Sequence, residues 1–324
     1  MRVLGIETSC DETAASVVAE EGVLSDVVHT QTVHAEWGGV VPELAARAHL
    51  EKLGPTVQAA LAEAGIARPE AVAATAGPGL IGAVLVGLSF AKALAAGWDV
   101  PFIGVNHLEA HMLAPLLETP APTFPFLALV VSGGHTALYR CEGLGRYEVL
   151  GQTVDDAAGE AYDKVARMLG LGWPGGPVVD ALAASGDPTA VRLPRPLPNQ
   201  GHGAYDLSFS GLKTAVRQAL AREPRPSDAD VCASFQAAAV DCLIDRLERA
   251  AKDTGIRRVA VTGGVAANSE LRARLAAGRL EAFIPPRKRC TDNAAMVANV
   301  GRRYLLAGRR DAFDLAARPS WSPA

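Results

Sequence analysis

Two histidines, His107 and His111, lie four residues apart in the sequence NHLEAHM of residues 106–112. On an α-helix, residues i and i+4 project from one face and lie one turn apart. Two imidazoles in that arrangement are suitable ligands for a single metal ion. The other interpretation is a pair of surface or capping histidines. Because the chain has seven histidines and two of them share one turn, we favour a metal site.

The spacing of this pair argues against a zinc protease. The protease motif H-E-x-x-H places its general-base glutamate directly after the first histidine, and this chain has Leu108 there. Glu109 follows at roughly 200° around the helix from the first histidine, so it points away from the histidine face. A third ligand must come from elsewhere. Asp292, just before the apolar segment 294–306, is a candidate, although a carboxylate at a helix start can equally be a plain N-cap.

Two β-hairpins with polar tips are predicted to position chemistry of this kind. In the first, strands at 3–6 and 14–18 flank the tip TSCDET of residues 8–13. In the second, strands at 126–131 and 137–140 flank the turn SGGHT of residues 132–136. Short apolar runs on both sides of a polar turn are typical of hairpins. Each hairpin begins what the pattern indicates as one half of the molecule.

A second kind of unit, in which a strand, a glycine-rich turn and a helix follow one another, also occurs twice. It covers residues 71–95 and residues 259–277. Such turns let backbone N–H groups approach a phosphate, because no Cβ is in the way. The repeated order predicts a duplicated α/β fold with a cleft between two lobes. We place the N-terminal lobe at 1–120 plus 291–324 and the C-terminal lobe at 121–290.

Composition and cysteine spacing are those of a soluble cytoplasmic protein. The 324 residues are 49% apolar and 20% charged. We expect no signal peptide, because Glu7 ends a very short apolar run at the start of the sequence. The five cysteines include no C-x-x-C pair, which argues against a disulfide framework and a cysteine zinc site. The uncharged run 71–91 is long enough to span a bilayer. Because Gly77-Pro78-Gly79 interrupts it, we expect a strand, a turn and a buried helix, and no membrane.

The charges are unevenly distributed along the chain. Residues 246–324 hold 16 of the 31 Lys and Arg but 7 of the 35 Asp and Glu, a net charge of +9, and the rest of the chain carries −13. A basic C-terminal third can attract a polyanion. A solvated helical face is the simpler interpretation when charge alone is considered.

Six motifs together resemble a known family. They are GIETSCDET at 5–13, GGVVPE at 38–43, NHLEAH at 106–111, VSGGHT at 131–136, DLSFSGLKT at 206–214 and GGVAAN at 263–268. In this order they resemble the catalytic subunit of the universal tRNA threonylcarbamoyladenosine synthase, a family formerly labelled O-sialoglycoprotein endopeptidase. The resemblance runs from Val3 to about Leu306. The residues after Arg310 carry no recognisable motif.

The resemblance implies a fold, a metal and a nucleotide site. The fold is the two-lobed type of actin, hexokinase and the heat-shock ATPases, with a nucleotide cleft between the lobes. The family binds one metal ion per subunit, iron or zinc, and His107, His111 and Asp292 match its ligands. It also binds an adenylate or ATP. The matching nucleotide contacts are Val130, Val131, Ser132, Gly133, Gly134, His135, Asp163, Gly176, Asp180 and Asn268.

Several of these nucleotide contacts also have ordinary structural interpretations. Asp163 can cap its helix or pair with Arg167, and Gly176 can be a turn glycine. Asp180 can start the next helix, and Asn268 is a plausible N-cap. Carboxylates suit the two ribose hydroxyls of a nucleotide, because those hydroxyls donate hydrogen bonds.

The resemblance also implies a reaction. A threonylcarbamoyl group passes from threonylcarbamoyl-AMP to the exocyclic amine of adenosine 37, beside the anticodon, in tRNAs that read codons starting with A. Asp11 and Glu12 are our candidates for aligning that amine or accepting its proton. The implied partners are tRNA, a smaller related subunit of the same fold and an accessory ATPase. We expect Arg272, Arg274, Arg279, Arg287, Lys288 and Arg289 to attract the tRNA backbone.

Two other functions fit the same fold. A small-molecule kinase of this superfamily would phosphorylate a sugar or carboxylate with ATP and magnesium, and it would not need two histidines. A regulatory ATPase would not use tRNA as a substrate. The histidine pair therefore favours the transferase over the kinase.

Overall fold

The computed structural model describes residues 1–196 and 203–323. Within these ranges there are ten strands and nine α-helices. The strands are β1 Val3–Glu7, β2 Glu12–Ala19, β3 Gly22–Thr30, β4 Ala71–Gly77, β5 Phe102–Asn106, β6 Phe126–Val131, β7 Thr136–Gly143, β8 Arg146–Gln152, β9 Arg258–Thr262 and β10 Glu281–Phe283. The helices are α1 Pro42–Glu63, α2 Ile81–Trp98, α3 His107–Leu113, α4 Ala158–Leu169, α5 Gly175–Ala183, α6 Ser210–Leu220, α7 Asp228–Thr254, α8 Ser269–Ala277 and α9 Ala294–Leu306.

The chain forms two compact units. Unit 1 consists of Met1–Ala121 and Asp292–Ala324, and unit 2 of Pro122–Thr291. Each unit contains one five-stranded sheet. Unit 1 is discontinuous in sequence, because α9 returns to the first sheet and packs against β1, β2 and β4.

The sheet of unit 1 has the order β3-β2-β1-β4-β5. β1 pairs antiparallel with β2 and parallel with β4, and β4 pairs parallel with β5. One face packs on α1 and α2 through apolar side chains that include Leu4, Ile6 and Leu53. The other face receives α9 at Gly5, where a Cβ would lie 2.3 Å from the carbonyl oxygen of Ala294. Glycine at this position therefore allows the helix to approach the strand closely.

The sheet of unit 2 repeats this topology. Its order is β10-β9-β6-β7-β8, with β6 antiparallel to β7 and parallel to β9, and β9 parallel to β10. The hairpin β6–β7 thus corresponds to β1–β2, and β9 corresponds to β4. Its core is a single apolar cluster that includes Tyr162, Phe209 and Phe235. The predicted duplication of a hairpin and a strand-turn-helix unit is therefore present in both sheets.

One described helix, Ile81–Trp98, is long and apolar enough to span a membrane by length and composition. It packs against β4 and α1, and its buried face consists of Ala83, Val84, Gly87, Leu88, Ala91 and Ala95. The uncharged run of residues 71–91 is thus divided between a buried strand and this helix, of which 33% is buried. A core helix and a membrane span share this composition.

The segment after Arg310 lies along unit 1. The Asp311 carboxylate accepts a hydrogen bond from the Gly104 N–H at 2.9 Å. The Arg318 N–H donates to the Ala76 carbonyl at 2.8 Å. The side chain of Asn106 donates to the carbonyl of Trp321 at 3.0 Å. This segment, which has no recognisable motif, therefore contacts the ends of β4 and β5, directly beside the histidine pair.

Candidate functional site

Helix α3 positions the two histidines. Asn106 ends β5 and caps the helix, with its side-chain oxygen accepting from the N–H groups of Leu108 at 2.9 Å and Glu109 at 3.1 Å. An asparagine N-cap satisfies backbone donors that the first turn leaves without partners. His107 and His111 are both buried, and their ring centroids are 4.7 Å apart. The predicted arrangement of the pair on one helix face is present.

Asp292 meets this pair from the other part of unit 1. Its Oδ1 lies 2.9 Å from Nε2 of His111 and 3.6 Å from Nε2 of His107. One donor atom from each of the three residues falls within 4.8 Å of the others. The N-cap of α9 is Asn293, which accepts from the Met296 N–H at 3.0 Å. Capping therefore does not account for Asp292.

Glu7, at the end of β1, was not predicted as a site residue. It contacts Nδ1 of His107, the ring nitrogen other than the one that faces Asp292. Its Oε2 lies 2.9 Å from Nδ1 of His107 and accepts from the Thr75 hydroxyl at 2.6 Å, and its Oε1 accepts from the Ser9 N–H at 2.5 Å. Because a carboxylate accepts, Nδ1 of His107 carries the proton and Nε2 faces Asp292. A carboxylate behind a histidine is the usual support for a metal ligand. The signal in the sequence was an acidic residue ending a buried strand.

The charges at this site suit a cation. Burial alone would lower the pKa of His107, but the negative charges of Asp292 and Glu7 outweigh it and raise that pKa to about 9. Burial raises the pKa of Glu7, and the charge and hydrogen bond of His107 outweigh it, so this pKa lies below its ordinary value. Glu7 thus faces Nδ1 of His107 and Asp292 faces Nε2, so that the second proton of one imidazole offsets the charge of two carboxylates. Two imidazole nitrogens and a carboxylate oxygen fit zinc or iron, whose charge would replace that proton.

Asp11 and Glu12 occupy the tip of the β1–β2 hairpin, in the same unit. Asp11 is buried and Glu12 is half-buried. Burial, followed by the negative charges of Asp292 and Asp11, raises the pKa of Glu12 well above its ordinary value. This coupling means that the carboxyl of Glu12 lies within electrostatic reach of Asp292. A cation held by Asp292 would reduce that repulsion and lower the pKa of Glu12.

The second hairpin tip, in unit 2, has a different character. The turn is closed by a hydrogen bond of 2.7 Å from the Ser132 N–H to the His135 carbonyl. Gly133 and Gly134 are exposed, and a Cβ on either would meet nothing within 4 Å. Val130 and Val131 are buried in β6. The turn therefore leaves open space beside two glycine backbones, which can offer their N–H groups to an anion.

Helix α4 connects this turn to another predicted contact. The Gly159 N–H in its first turn donates to the Ser132 carbonyl at 3.1 Å. Asp163, one turn later, accepts from the Gly175 N–H at 2.7 Å at the start of α5. The next residue, Gly176, has nothing within 4 Å of a Cβ. Asp163 therefore fixes the start of α5, beside the open face of Gly176.

Asp180 and Asn268 lie in contact. The side-chain N–H of Asn268 donates to Oδ1 of Asp180 at 3.0 Å, and the Ser269 hydroxyl donates to the same oxygen at 2.6 Å. Asn268 also caps α8 through the Leu271 N–H at 3.0 Å, as its plain structural interpretation requires. Asp180 lies inside α5 rather than starting a helix. A role of these residues in nucleotide binding stays a prediction.

The six basic residues proposed to attract tRNA differ in their surroundings. Arg272 donates to the carbonyls of Ala266 and Pro285, at 2.8 and 2.5 Å, and Arg274 forms an ion pair with Asp241. The side chains of these two arginines are therefore engaged in contacts within unit 2. Arg289 is half-buried. Arg279, Arg287 and Lys288 are exposed.

Comparison with known proteins decides the family. Residues 22–299 match the family model TsaD, described as tRNA N6-adenosine threonylcarbamoyltransferase. The chain belongs to this family. The relative of that name from Geobacter sp. (strain M21) is 53% identical over 332 residues, covering 99% of this chain and 96% of the relative. The one from Bordetella bronchiseptica is 50% identical over 343 residues, covering 100% and 99%. The chain is accordingly a tRNA-modifying transferase, as predicted from its motifs.

Solved structures confirm the fold class. Full-length HypF in its phosphate- and nucleotide-bound form aligns over 94% of this chain and 55% of its own, with a TM-score of 0.65 and 14% identity. The activator of 2-hydroxyisocaproyl-CoA dehydratase from Clostridium difficile, with bound ADPNP, aligns over 96% and 99%, with a TM-score of 0.56 and 14% identity. At these identities the likeness concerns the fold alone. The predicted α/β fold of the actin, hexokinase and heat-shock ATPase type is correct.

Proposed function

We propose that this member of the threonylcarbamoyltransferase family uses threonylcarbamoyl-AMP as its donor. The acceptor is the exocyclic amine of adenosine 37 in tRNAs that read codons starting with A. The amine nitrogen forms a bond to the carbamoyl carbon, the bond from that carbon to the phosphate oxygen breaks, and AMP leaves. The observation that carries the proposal is the convergence of His107, His111 and Asp292, one donor atom of each lying within 4.8 Å of the others, in the unit that also carries Asp11 and Glu12.

Each residue group has a separate task in this reaction. Asp11 and Glu12 align the amine and accept the proton that it loses. Because an aromatic amine is a weak nucleophile, positioning supplies much of the rate. The backbone N–H groups of Ser132 to His135 bind the phosphate and stabilise the charge that grows on it as AMP leaves. Asp163, Gly176, Asp180 and Asn268 complete the adenylate site, with the carboxylates serving the ribose hydroxyls.

His107, His111 and Asp292 would hold one metal ion per subunit, iron or zinc. When bound, the ion supplies Lewis-acid stabilisation to an oxygen of the reacting acyl phosphate. Glu7 keeps His107 in the tautomer whose Nε2 is free to act as a ligand. The carboxylates of the buried Glu7 and the half-buried Asp292 around one histidine support this assignment, because without a cation their charge is balanced by a proton alone.

The proposal extends to the compartment and the partners that membership of this family implies. The reaction takes place in the cytoplasm with a smaller related subunit and an accessory ATPase, and no membrane is required. The exposed Arg279, Arg287 and Lys288 contribute phosphate contacts to tRNA, so binding should weaken steeply as salt is raised. The two lobes at 1–120 plus 291–324 and at 121–290 divide these tasks.

The test is reconstitution with helper subunits, unmodified tRNA and freshly made threonylcarbamoyl-adenylate. Nucleosides from the digested tRNA are weighed by mass spectrometry. We expect modified adenosine from the wild type and from His29→Ala, a matched change of an exposed histidine outside the site. The double variant His107→Ala/His111→Ala should give none. Equal product from the double variant would remove the metal from the chemistry. If active helpers gave no product, phosphate transfer from ATP to small molecules would be the next activity to measure.

A further inference from the structure

A chain of buried polar side chains lies beneath the first hairpin tip and has no part in the chemistry above. Its members are Thr13, Gln31, His34 and His49, and each is at most 2% exposed. Buried polar groups are costly unless hydrogen-bonded, so an extended set of them needs every donor matched to an acceptor. His49 lies on α1, and His34 lies in the short 3-10 helix Thr32–Trp37 that precedes α1.

The backbone partner of His49 fixes where its proton lies. Nε2 of His49 is 2.9 Å from the carbonyl oxygen of Cys10, which can only accept, so this nitrogen donates. Nδ1 is then the acceptor, and it receives the hydroxyl of Thr13 at 2.8 Å. Burial also lowers the pKa of His49, in agreement with a neutral ring that accepts at one nitrogen and donates at the other.

The other end of the chain is fixed in the same way. The Val41 N–H can only donate, and it lies 3.3 Å from Nδ1 of His34. Nε2 of His34 therefore carries the proton and donates to Oε1 of Gln31 at 2.9 Å. The amide nitrogen of Gln31 then donates to the Ala45 carbonyl and to Nδ1 of His49, both at 3.3 Å. The bonds run in one direction, from Val41 to Cys10.

The position of His49 in this chain is informative. It contacts Cys10, the residue before Asp11, and Thr13, the residue after Glu12. The ring of His49 is thus hydrogen-bonded to the residues on either side of Asp11 and Glu12. A third contact fixes the tip from β3, because the Gln31 N–H donates to the Asp11 carbonyl at 3.1 Å.

We propose that His49 is a positioning residue for the transfer reaction, and that it sets the geometry of Asp11 and Glu12 through Cys10 and Thr13. Gln31 and His34 extend this support to the 3-10 helix before α1. The inference rests on the proposed function of the two carboxylates. It assigns no contact between His49 and any substrate.

Three variants test the role of His49. His49→Leu removes the hydrogen bonds of this side chain to Cys10, Thr13 and Gln31. Thr13→Val removes one of them, and His49→Gln offers an amide N–H for the Cys10 carbonyl and an amide oxygen for the Thr13 hydroxyl. A small displacement of a catalytic group can lower a rate by about 10²-fold. We expect kcat to fall by about that factor in His49→Leu, to fall less in Thr13→Val and to recover in His49→Gln. The KM for tRNA should change little in all three.

Thr56→Val is the matched control, because Thr56 is a buried threonine of α1 whose hydroxyl bonds to the Lys52 carbonyl within the same helix. Thermal unfolding of all variants accompanies the kinetics. If His49→Leu does not fold, Thr13→Val against Thr56→Val decides the question. A fall in kcat in Thr13→Val alone supports positioning, and equal kcat in the two variants contradicts it.

The parallel variant Asp11→Asn/Glu12→Gln separates this inference from the proposed function. Wild-type kcat in that variant would overturn the role of the carboxylates, and the role of His49 with it. Wild-type kcat in His49→Leu, together with an inactive Asp11→Asn/Glu12→Gln, would overturn the positioning role alone.

Discussion

The tips of the two hairpins β1–β2 and β6–β7 have the same topology and opposite chemistry. The first carries Glu7, Asp11 and Glu12 at or beside the turn, all partly or fully buried. Glu7 contacts His107, which lies on α3 together with His111. The second, Ser132 to His135, has no carboxylate and two exposed glycines. In both units the sheet order places the hairpin beside a parallel strand with a glycine turn. The duplicated fold thus supplies two equivalent positions, and the side chains make one of them suitable for a cation and the other for an anion.

The largest effect that tests this contrast is loss of the histidine pair. We expect His107→Ala/His111→Ala to lose its bound metal and to lower the transfer rate by at least about 10³-fold, since metal ions supply several kcal/mol of stabilisation. Metal content by elemental analysis and single-turnover kinetics measure the two effects. His135→Ala, at the second tip, should keep its metal. Loss of metal from His135→Ala would contradict the assignment of the cation to the histidine–aspartate site and of the anion to the second tip.

A smaller effect is expected from the support behind the ligands. Glu7→Gln keeps the shape of the side chain but weakens the acceptor for Nδ1 of His107. Changes of such supporting carboxylates lower metal affinity by about 10- to 100-fold, and competition with a chromophoric chelator would show it. Glu20→Gln, at an exposed glutamate, is the matched control. An unchanged affinity in Glu7→Gln would mean that Glu7 serves the fold only.

The second tip can be tested by giving it the charge of the first. Gly133→Asp places a carboxylate where we expect phosphate, in space that is open, so the fold should tolerate it. AMP affinity measured by calorimetry should fall about fivefold or more, because two negative charges near one another interact unfavourably by about 1 kcal/mol even in water. Metal content should stay as in the wild type. Gly97→Asp, at another exposed glycine with open space, should leave AMP binding intact.

The smallest effect concerns the element beside the second tip. Asp155 caps α6, accepting from the Ser208 hydroxyl at 2.5 Å and the Phe209 N–H at 2.8 Å. Burial raises the pKa of Asp155, but these hydrogen bonds outweigh it and hold the pKa below its ordinary value of 3.8. Its contribution is therefore complete above that value and is lost as pH falls through the lower folded pKa.

We expect Asp155→Asn to lower the free energy of unfolding by up to about 1 kcal/mol at neutral pH, as for a helix cap, reduced by solvent screening because the side chain is exposed. Urea titrations at pH 7 and pH 3 measure this difference. The loss should be larger at pH 7. A loss that is equal at both pH values would exclude the charge of Asp155 as its cause.

The sequence predicted the elements whose signals are local. Both hairpins, the helices at α1, α2, α7 and α9, and the strands β4 and β9 follow from apolar runs broken by polar or glycine turns. β8 and β10 were not predicted, because β8 is mostly exposed and β10 has three residues. The buried strand β5 was also missed, since five residues after Pro101 give little pattern to detect. Pattern is weakest where strands are short or lie at an edge.

The candidate site shows the same limit. The histidine pair was visible because its spacing lies within one helix, and Asp292 was a candidate because it precedes a helix. Glu7 and His49 were missed, because their partners are 100 and 39 residues away in sequence. Only the fold brings them together. Local patterns in a single sequence, such as alternating apolar residues or turn residues, do not indicate a contact between residues so far apart.

Anomalous diffraction from crystals grown with iron or zinc and a non-hydrolysable adenylate analogue tests the division between the two tips most directly. The account predicts one anomalous peak within bonding distance of His107, His111 and Asp292. It also predicts the phosphate of the analogue on the backbone N–H groups of the Ser132 to His135 turn. A metal peak at the second tip with none at the histidine pair, or a phosphate away from that turn, would contradict it.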